Sequence, residues 1–461
     1  MEARSTTGNN AKIGSYMAEE MSGNITIKGN ATVNVNDNAG SGAAIGTGSD
    51  ANLSGNITIT ENAHVNVNTD AESAGIGTGK NSGITEKGSI VIEGNAEVTA
   101  TSKGNGAAIG TGNNGNIKGA IAIKGEAKIT AESEESAAIG TGVNGDLSGK
   151  ITILNEADVL AFSDGTGAGI GTGTGGDLSG SIEIKGNALV SAVGNDKSAG
   201  IGTGKDGTIE ESGNIVISGT ADVAAFGDSD IDAESGAAIG SSGEGEMKGT
   251  ITISGDSKVT AITGKYAAAI GTGKDSSTSS SSAMSGKINI LDNAIVITKV
   301  KTFDKVTYDK DTNNFSYLNY LMSNGIIGEG NELGHDSNRG EFIIGPNVTI
   351  NGYKGNDIEN LKDYINYYKS EDGIIANLII EESKPKDNTE NKTTSTDAVV
   401  EEQVETIVHK KVVNTSVKDK PIVENINDIE SIETNNTYTW SLPISIVLFA
   451  CLILLGRKRL N

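Results

Sequence analysis

One short string, repeated at nearly constant spacing, constrains this chain more than any other feature. Ala43-Ala44-Ile45-Gly46-Thr47-Gly48 returns with small changes along much of the sequence. Its isoleucine recurs as Ile13, Ile45, Ile76, Ile109, Ile139, Ile170, Ile201, Ile239 and Ile270, at spacings of 32, 31, 33, 30, 31, 31, 38 and 31 residues. A weaker tenth copy begins at Ile327-Gly328-Glu329-Gly330. Self-similarity at such a period is the mark of a stacked array, in which no single unit buries its own apolar face.

Within each unit the apolar pattern has period 2. In Gly55-Asn56-Ile57-Thr58-Ile59 the two isoleucines share one face, as do Ala63, Val65 and Val67 after the turn at Thr60-Glu61-Asn62. Small and β-branched residues alternating with polar ones suit half-buried strands. The Gly-Ile-Gly-Thr stretch supplies a third short strand, and Gly/Asn/Asp loops separate the pieces. Three short strands per unit and no helical period predict an all-β chain. The expected fold is a parallel β-helix, a solenoid of about ten coils of ~31 residues, roughly 48 Å long at the usual strand spacing.

Composition agrees with a narrow interior. Glycine is 63 of 461 residues and proline 4, and only Tyr16, Phe162, Phe226 and Tyr266 are aromatic before residue 300. Collagen is excluded by the missing third-position glycine and by the scarcity of proline. A net charge of −24 repels phosphate backbones, so nucleic acid is not an expected partner. With one cysteine, Cys451, no intrachain disulfide is available.

Two ladders follow from stacking. The residue two places after each repeat isoleucine is a hydroxyl in nine copies, from Ser15 and Thr47 to Ser241 and Thr272. It is expected to point inward and to bond to its neighbours or to backbone. The second ladder sits at the tight turn, where Asn30, Asn62, Asn95, Asn187, Asn293 and Asn347 recur, interrupted by Glu126, Glu156, Thr220 and Asp256. Gly46, Gly48 and their equivalents are expected to face outward as a smooth side of the rod.

These units resemble those of pectate-lyase-like right-handed parallel β-helix domains, as found in glycine-rich surface adhesins of Gram-positive bacteria. The resemblance covers residues 11 to about 300 and, weakly, 326 to 352. It implies a right-handed solenoid and two functional classes. One is non-enzymatic adhesion or surface display toward a host or bacterial surface glycan or protein. The alternative is a carbohydrate-active lyase or hydrolase, which needs clustered aspartates and a basic residue. Between residues 11 and 300 there is no arginine and one histidine, His64, which favours the non-enzymatic class. The glycine-rich string is not a phosphate loop, because no helix follows it and it recurs nine times. No cofactor is expected.

Two groups of residues are candidate sites. Asp228, Asp230, Asp232 and Glu234 alternate in the loop that lengthens one interval to 38 residues, an arrangement with oxygen ligands for a hard cation; a solvated acidic loop is the plainer reading. Tyr308, Tyr317, Tyr320 and Tyr353 belong to an aromatic concentration between Phe303 and Tyr368, where rings would serve a ligand or a cap.

The remaining organisation is read from composition shifts. Residues 1–299 form the rod, and 300–382 hold an insertion, the last coil and a capping region. Ile358, Leu361, Ile365 and Tyr368 there predict an amphipathic helix over 357–370. Residues 383–437 read as a charged, disordered linker. The uncharged run 440–456, from Trp440 to Gly456, reaches the lower limit of a membrane-spanning helix, and Arg457-Lys458-Arg459 in the 457–461 tail predicts a cytoplasmic C-terminus with the rod outside. The apolar span and basic end also resemble a sortase signal, although Leu442-Pro443-Ile444-Ser445 only echoes its Leu-Pro-x-Thr-Gly motif. Met1-Glu2-Ala3-Arg4 opens no apolar export signal, and the repeat is already running at Lys12-Ile13. An N-terminally incomplete rod is therefore expected.

Overall fold

The computed structural model describes residues 2–361, 365 and 378–380, apart from 6–7, 38–39, 71, 228–234, 265–266, 275–283, 304–305, 310–313, 318–319 and 329–339. These residues form an all-β parallel solenoid with almost no helix, compatible with the pectate-lyase-like β-helix. Three sheets of 13, 10 and 11 strands run along its length, with strands of successive coils pairing in parallel. The ten-stranded sheet is built from the two-residue strands Ile13–Gly14, Ile45–Gly46 and their equivalents through Ile327–Gly328. The short-strand sheet contains Asn56–Ile59 and its equivalents; the long-strand sheet contains the six-residue strands such as His64–Thr69. A fourth corner carries single parallel bridges from Met21 through Leu53, Ile84, Ile117, Leu147, Leu178, Ile209 and Met247 to Met284, spanning about eight regular turns.

Equivalent residues pair with equivalent residues, so each interior position becomes a column. Ile57 lies on Ile90, and Ile121 on Ile151, all fully buried. The facing long strands contribute Val65, Val98 and Ile129 in one column and Val67, Ala100 and Ala131 in the next. The interior admits one large ring among its most buried side chains, Phe342, which follows Ile288 in the Ile57 column. The turn between short and long strands uses a positive-φ residue, Gly94 in one coil and Glu61 in the one before. The Asn ladder follows it: Asn62 Nδ2 donates to Asn30 Oδ1 at 3.2 Å and Asn95 Nδ2 to Asn62 Oδ1 at 3.2 Å. Thr220 and Asp256 continue this ladder by bonding to Asn187 and Asn293.

The hydroxyl ladder points inward, and backbone is what it bonds. Thr141 Oγ1 donates to the Gly145 carbonyl at 2.6 Å and accepts the Gly173 amide of the next coil at 2.9 Å. Thr111, Thr172 and Thr203 repeat both bonds. One hydroxyl thus closes a corner of its own coil and stitches it to the next.

The glycines correct the sequence expectation. Gly46, Gly48 and their equivalents do not form an outward surface; apart from Gly14 in the first coil they are buried. Gly140 has φ +146°, where side chains are disfavoured, and an added Cβ would lie 1.8 Å from the Gly171 carbonyl oxygen. The constraint is backbone approaching backbone between coils. The position two residues later lacks the positive φ, and Ser242 occupies it, hydrogen-bonding the Gly207 carbonyl at 3.2 Å, although at Gly142 an added Cβ would still lie 2.3 Å from the Gly112 carbonyl oxygen.

Past the regular coils, the strand Ile295–Phe303 pairs antiparallel with Tyr320–Asn324, and Val306–Asp309 pairs with Asn314–Tyr317 between them. Ile327–Gly328 then rejoins the ten-stranded sheet. The helical pattern expected over 357–370 appears as one turn, Ile358–Leu361. Leu361 and Ile365 are buried; the Ile365 N–H donates to the Leu361 carbonyl at 3.1 Å, as in a helix, and Ile365 also forms a parallel bridge to Ile327, while residues 362–364 and 366–370 of that pattern lie outside the described residues. Leu378–Ile380 adds a further strand on Phe342–Ile344. The linker 383–437 and the apolar run 440–456 also lie outside the described residues. Among the described residues no helix is long and apolar enough to cross a membrane.

Substitutions at three neighbouring positions test the stacking. Gly140→Ala is expected to cost about 3 kcal/mol or more, from φ strain plus the backbone clash, and Gly142→Ser distinctly less. Thr141→Val should cost about 2 kcal/mol by stranding a buried carbonyl and a buried amide, with Thr141→Ser recovering most of it. Urea titrations of the variants read both; a Gly140→Ala loss no larger than that of Gly142→Ser contradicts the argument that positive φ and the closer approach make Gly140 the stricter position.

Candidate binding face

The outer face of the long-strand sheet is where the columns change character. Two outward columns run Asn34, Asn66, Thr99, Thr130, Leu160 and Asn36, Asn68, Thr101, Glu132, Phe162. The second continues Val193, Phe226, Ile262 and Lys299. The second column is therefore amide and hydroxyl over its first coils and mainly apolar over its later ones, while the first passes from Leu160 to Ser191, Ala224 and Thr260. Phe162 and Val193 are buried at 9% and 4% exposure, with Phe226 packed against them, so the apolar part is largely covered. Lys299 at its end has its pKa lowered by burial.

The polar part holds two depressions of about 530 and 350 Å³ that share Lys103. Asn34, Asn36, Asn66, Asn68, Thr99, Thr101 and Lys103 line the larger one. Asn9, Ser41, Asp70, Glu72, Asn105 and Glu135 line the smaller, again with Lys103. Asn66 Nδ2 donates to Asn34 Oδ1 at 2.9 Å, which fixes the amide orientation of that column. The Asn68 Oδ1 atom is desolvated and has no hydrogen-bond partner. Lys103 lies 3.7 Å from Asp70, and Lys80 lies 2.6 Å from Glu72, so the charges at the rim are partly paired. These residues are foreshadowed by Val33-Asn34-Val35-Asn36 and Val65-Asn66-Val67-Asn68, whose outward asparagines are as regular as their inward valines. A reading directed at the buried face passes over them.

The first outward column of the same sheet alternates in charge. His64 Nδ1 lies 3.0 Å from Glu97, and Lys128 4.0 Å from the same carboxylate. Burial raises the pKa of Asp158 and of Asp222, against the attraction of Lys128 and Lys258 respectively. On the short-strand sheet, Glu183 meets Lys150 and Lys185 at 2.6 Å each. Burial opposes its ionisation, and the hydrogen bonds and charges of the two lysines outweigh that, leaving its pKa below the ordinary value.

Asp206 and Glu244 form a hydrogen-bonded carboxyl pair. Burial, and then the bond to Glu244, raises Asp206; the bonds from Lys197 at 2.9 Å and from Asp206 lower Glu244. Direct contact falls short of the roughly 5 Å or more that separates the carboxyls flanking a scissile glycosidic bond. Among the described residues no three His, Cys, Asp or Glu side chains gather at metal-binding spacing.

Asp228, Asp230, Asp232 and Glu234 lie outside the described residues. Of the tyrosines, Tyr308 pairs with Phe315 and Tyr317 with Val306 in a two-stranded sheet, while Tyr320 pairs with Phe303 in the long-strand sheet. Tyr353, half-buried against the core, pairs with Ile350. The four thus lie in three separate strand pairs.

No protein-family model, curated protein or solved structure matches this chain.

Glu183 gives a pH signature. Its lowered pKa contributes stability above the unfolded carboxylate range, lost as pH falls through the folded value. Glu183→Gln is expected to lower the melting temperature at pH 7 and to have progressively less effect below pH ~4. Thermal melts across that range check it; a pH-independent difference contradicts the ion-pair assignment.

Proposed function

We propose that this chain is a non-enzymatic, membrane-anchored cell-surface protein whose rod serves adhesion or display. The observation that carries the reading is the column architecture: strict register along about eight turns makes extended, repetitive faces, one of which is a polar groove. Adhesion uses such faces, whereas general acid/base chemistry needs a few convergent groups with separated pKa values. The sequence of 440–456 with the basic tail supports a membrane anchor that leaves the rod outside, held away by the linker 383–437. The kinship to glycine-rich Gram-positive adhesins and the sortase-like tail belong to the same reading, with anchoring assigned to the apolar span because the sorting pentapeptide is missing.

Protease shaving of intact cells tests it. An epitope placed in the rod should be lost while a tag after Asn461 remains in the membrane fraction. A rod epitope that survives until the cells are lysed overturns the surface assignment.

A further inference from the structure

We propose that the groove on the early long strands binds an uncharged, hydroxyl-rich chain, a neutral glycan, laid along the rod across Asn34, Asn36, Asn66, Asn68, Thr99 and Thr101. The ligand class names the recognition chemistry of the adhesive reading above, and the binding step stands or falls separately from it.

The backbone excludes one alternative first. Strand N–H and C=O groups on this sheet bond along the rod axis to the neighbouring coils, so the face presents side chains only. An extended peptide cannot add itself there as a strand, because strand addition needs an unpaired edge. The side chains then select the ligand. Each carboxamide offers two donors and an acceptor with two lone pairs, and each threonine a hydroxyl that does both. The Asn66–Asn34 bond uses only part of that capacity. Asn68 adds an acceptor with no partner in the protein, which rotation of its amide would present to a ligand hydroxyl. Sugar hydroxyls, which donate and accept equally, match this set.

Spacing and charge narrow the class. Equivalent amides recur once per coil, about 4.8 Å apart along the axis, so the site repeats in the direction in which a polymer would lie. The rungs are neutral, and Asp70, Glu72, Glu97 and Glu135 stand beside them on a chain of net charge −24. A polyuronate would meet like charge at the rim, with Lys103 already close to Asp70. An apolar ligand finds no partner before Leu160 and Phe162, two coils further on.

The test uses the full chain in a detergent without a sugar headgroup, applied to immobilised dextran, mannan, galactan and cello-oligosaccharide, with polygalacturonate as the anionic arm. Retention by at least one neutral glycan is expected, and none by polygalacturonate. Asn36→Ala/Asn68→Ala should weaken retention at least tenfold with an unchanged melting temperature, whereas Thr260→Ala, in the Asn34 column several coils on, should not. Failure of all four neutral glycans to retain the chain, equal retention of the double variant, or preferential capture by polygalacturonate overturns the proposal. A chain that binds a neutral glycan but resists shaving sinks the surface reading alone; a surface-exposed chain that ignores all four sinks this one alone.

Discussion

Coil-to-coil backbone pairing in strict register is the interaction on which the rest of this structure depends. Because Ile57 pairs with Ile90 and His64 with Glu97, whatever one coil places at a position is stacked on its equivalent in the next. The pairing also brings backbone against backbone at the glycine-rich strands. At the Ile-Gly strands the separation leaves no room for a Cβ, and the positive φ would disfavour one in any case. Glycine there is a condition of stacking, and the neighbouring threonine satisfies the polar groups which that corner exposes to the interior.

This explains what could be read from sequence and what could not. The parallel all-β solenoid was legible because alternation and period report directly on burial and stacking: Ile45, Val65 and Val67 are buried where period 2 puts them, and Thr47 points inward as the stacking argument requires. The glycines were assigned the wrong direction because composition marks where a side chain is absent and says nothing of why. A smooth outer face and an interior with no space for Cβ look alike in one dimension. The isolated Met21-to-Met284 corner went unread for a related reason, since one apolar residue between glycine-rich loops has no period of its own.

The helical spacing of Ile358, Leu361 and Ile365 shows a different limit. Apolar residues at intervals of three and four satisfy an amphipathic helix, and the Ile365 N–H does bond the Leu361 carbonyl, yet Ile365 also meets the stack. Ile327 offers Ile365 a parallel bridge, and Phe342–Ile344 offers Leu378–Ile380 a strand partner. Local periodicity cannot weigh such a partner, because the partner is supplied by the end of the stack already formed.

Interior columns in a solenoid are fixed by geometry, so variation concentrates in the outward ones. On the long-strand sheet that freedom yields a change from asparagine and threonine to leucine, phenylalanine and valine within a few coils, while the inward valine and alanine columns continue almost unaltered. The Val-Asn-Val-Asn runs serve both demands at once: their valines hold the rod together and their asparagines are left to meet solvent or a ligand. Stacking needs only the first of these. The second is spare hydrogen-bonding capacity, repeated at the spacing of the coils, and it is what distinguishes the early part of this face from its apolar continuation.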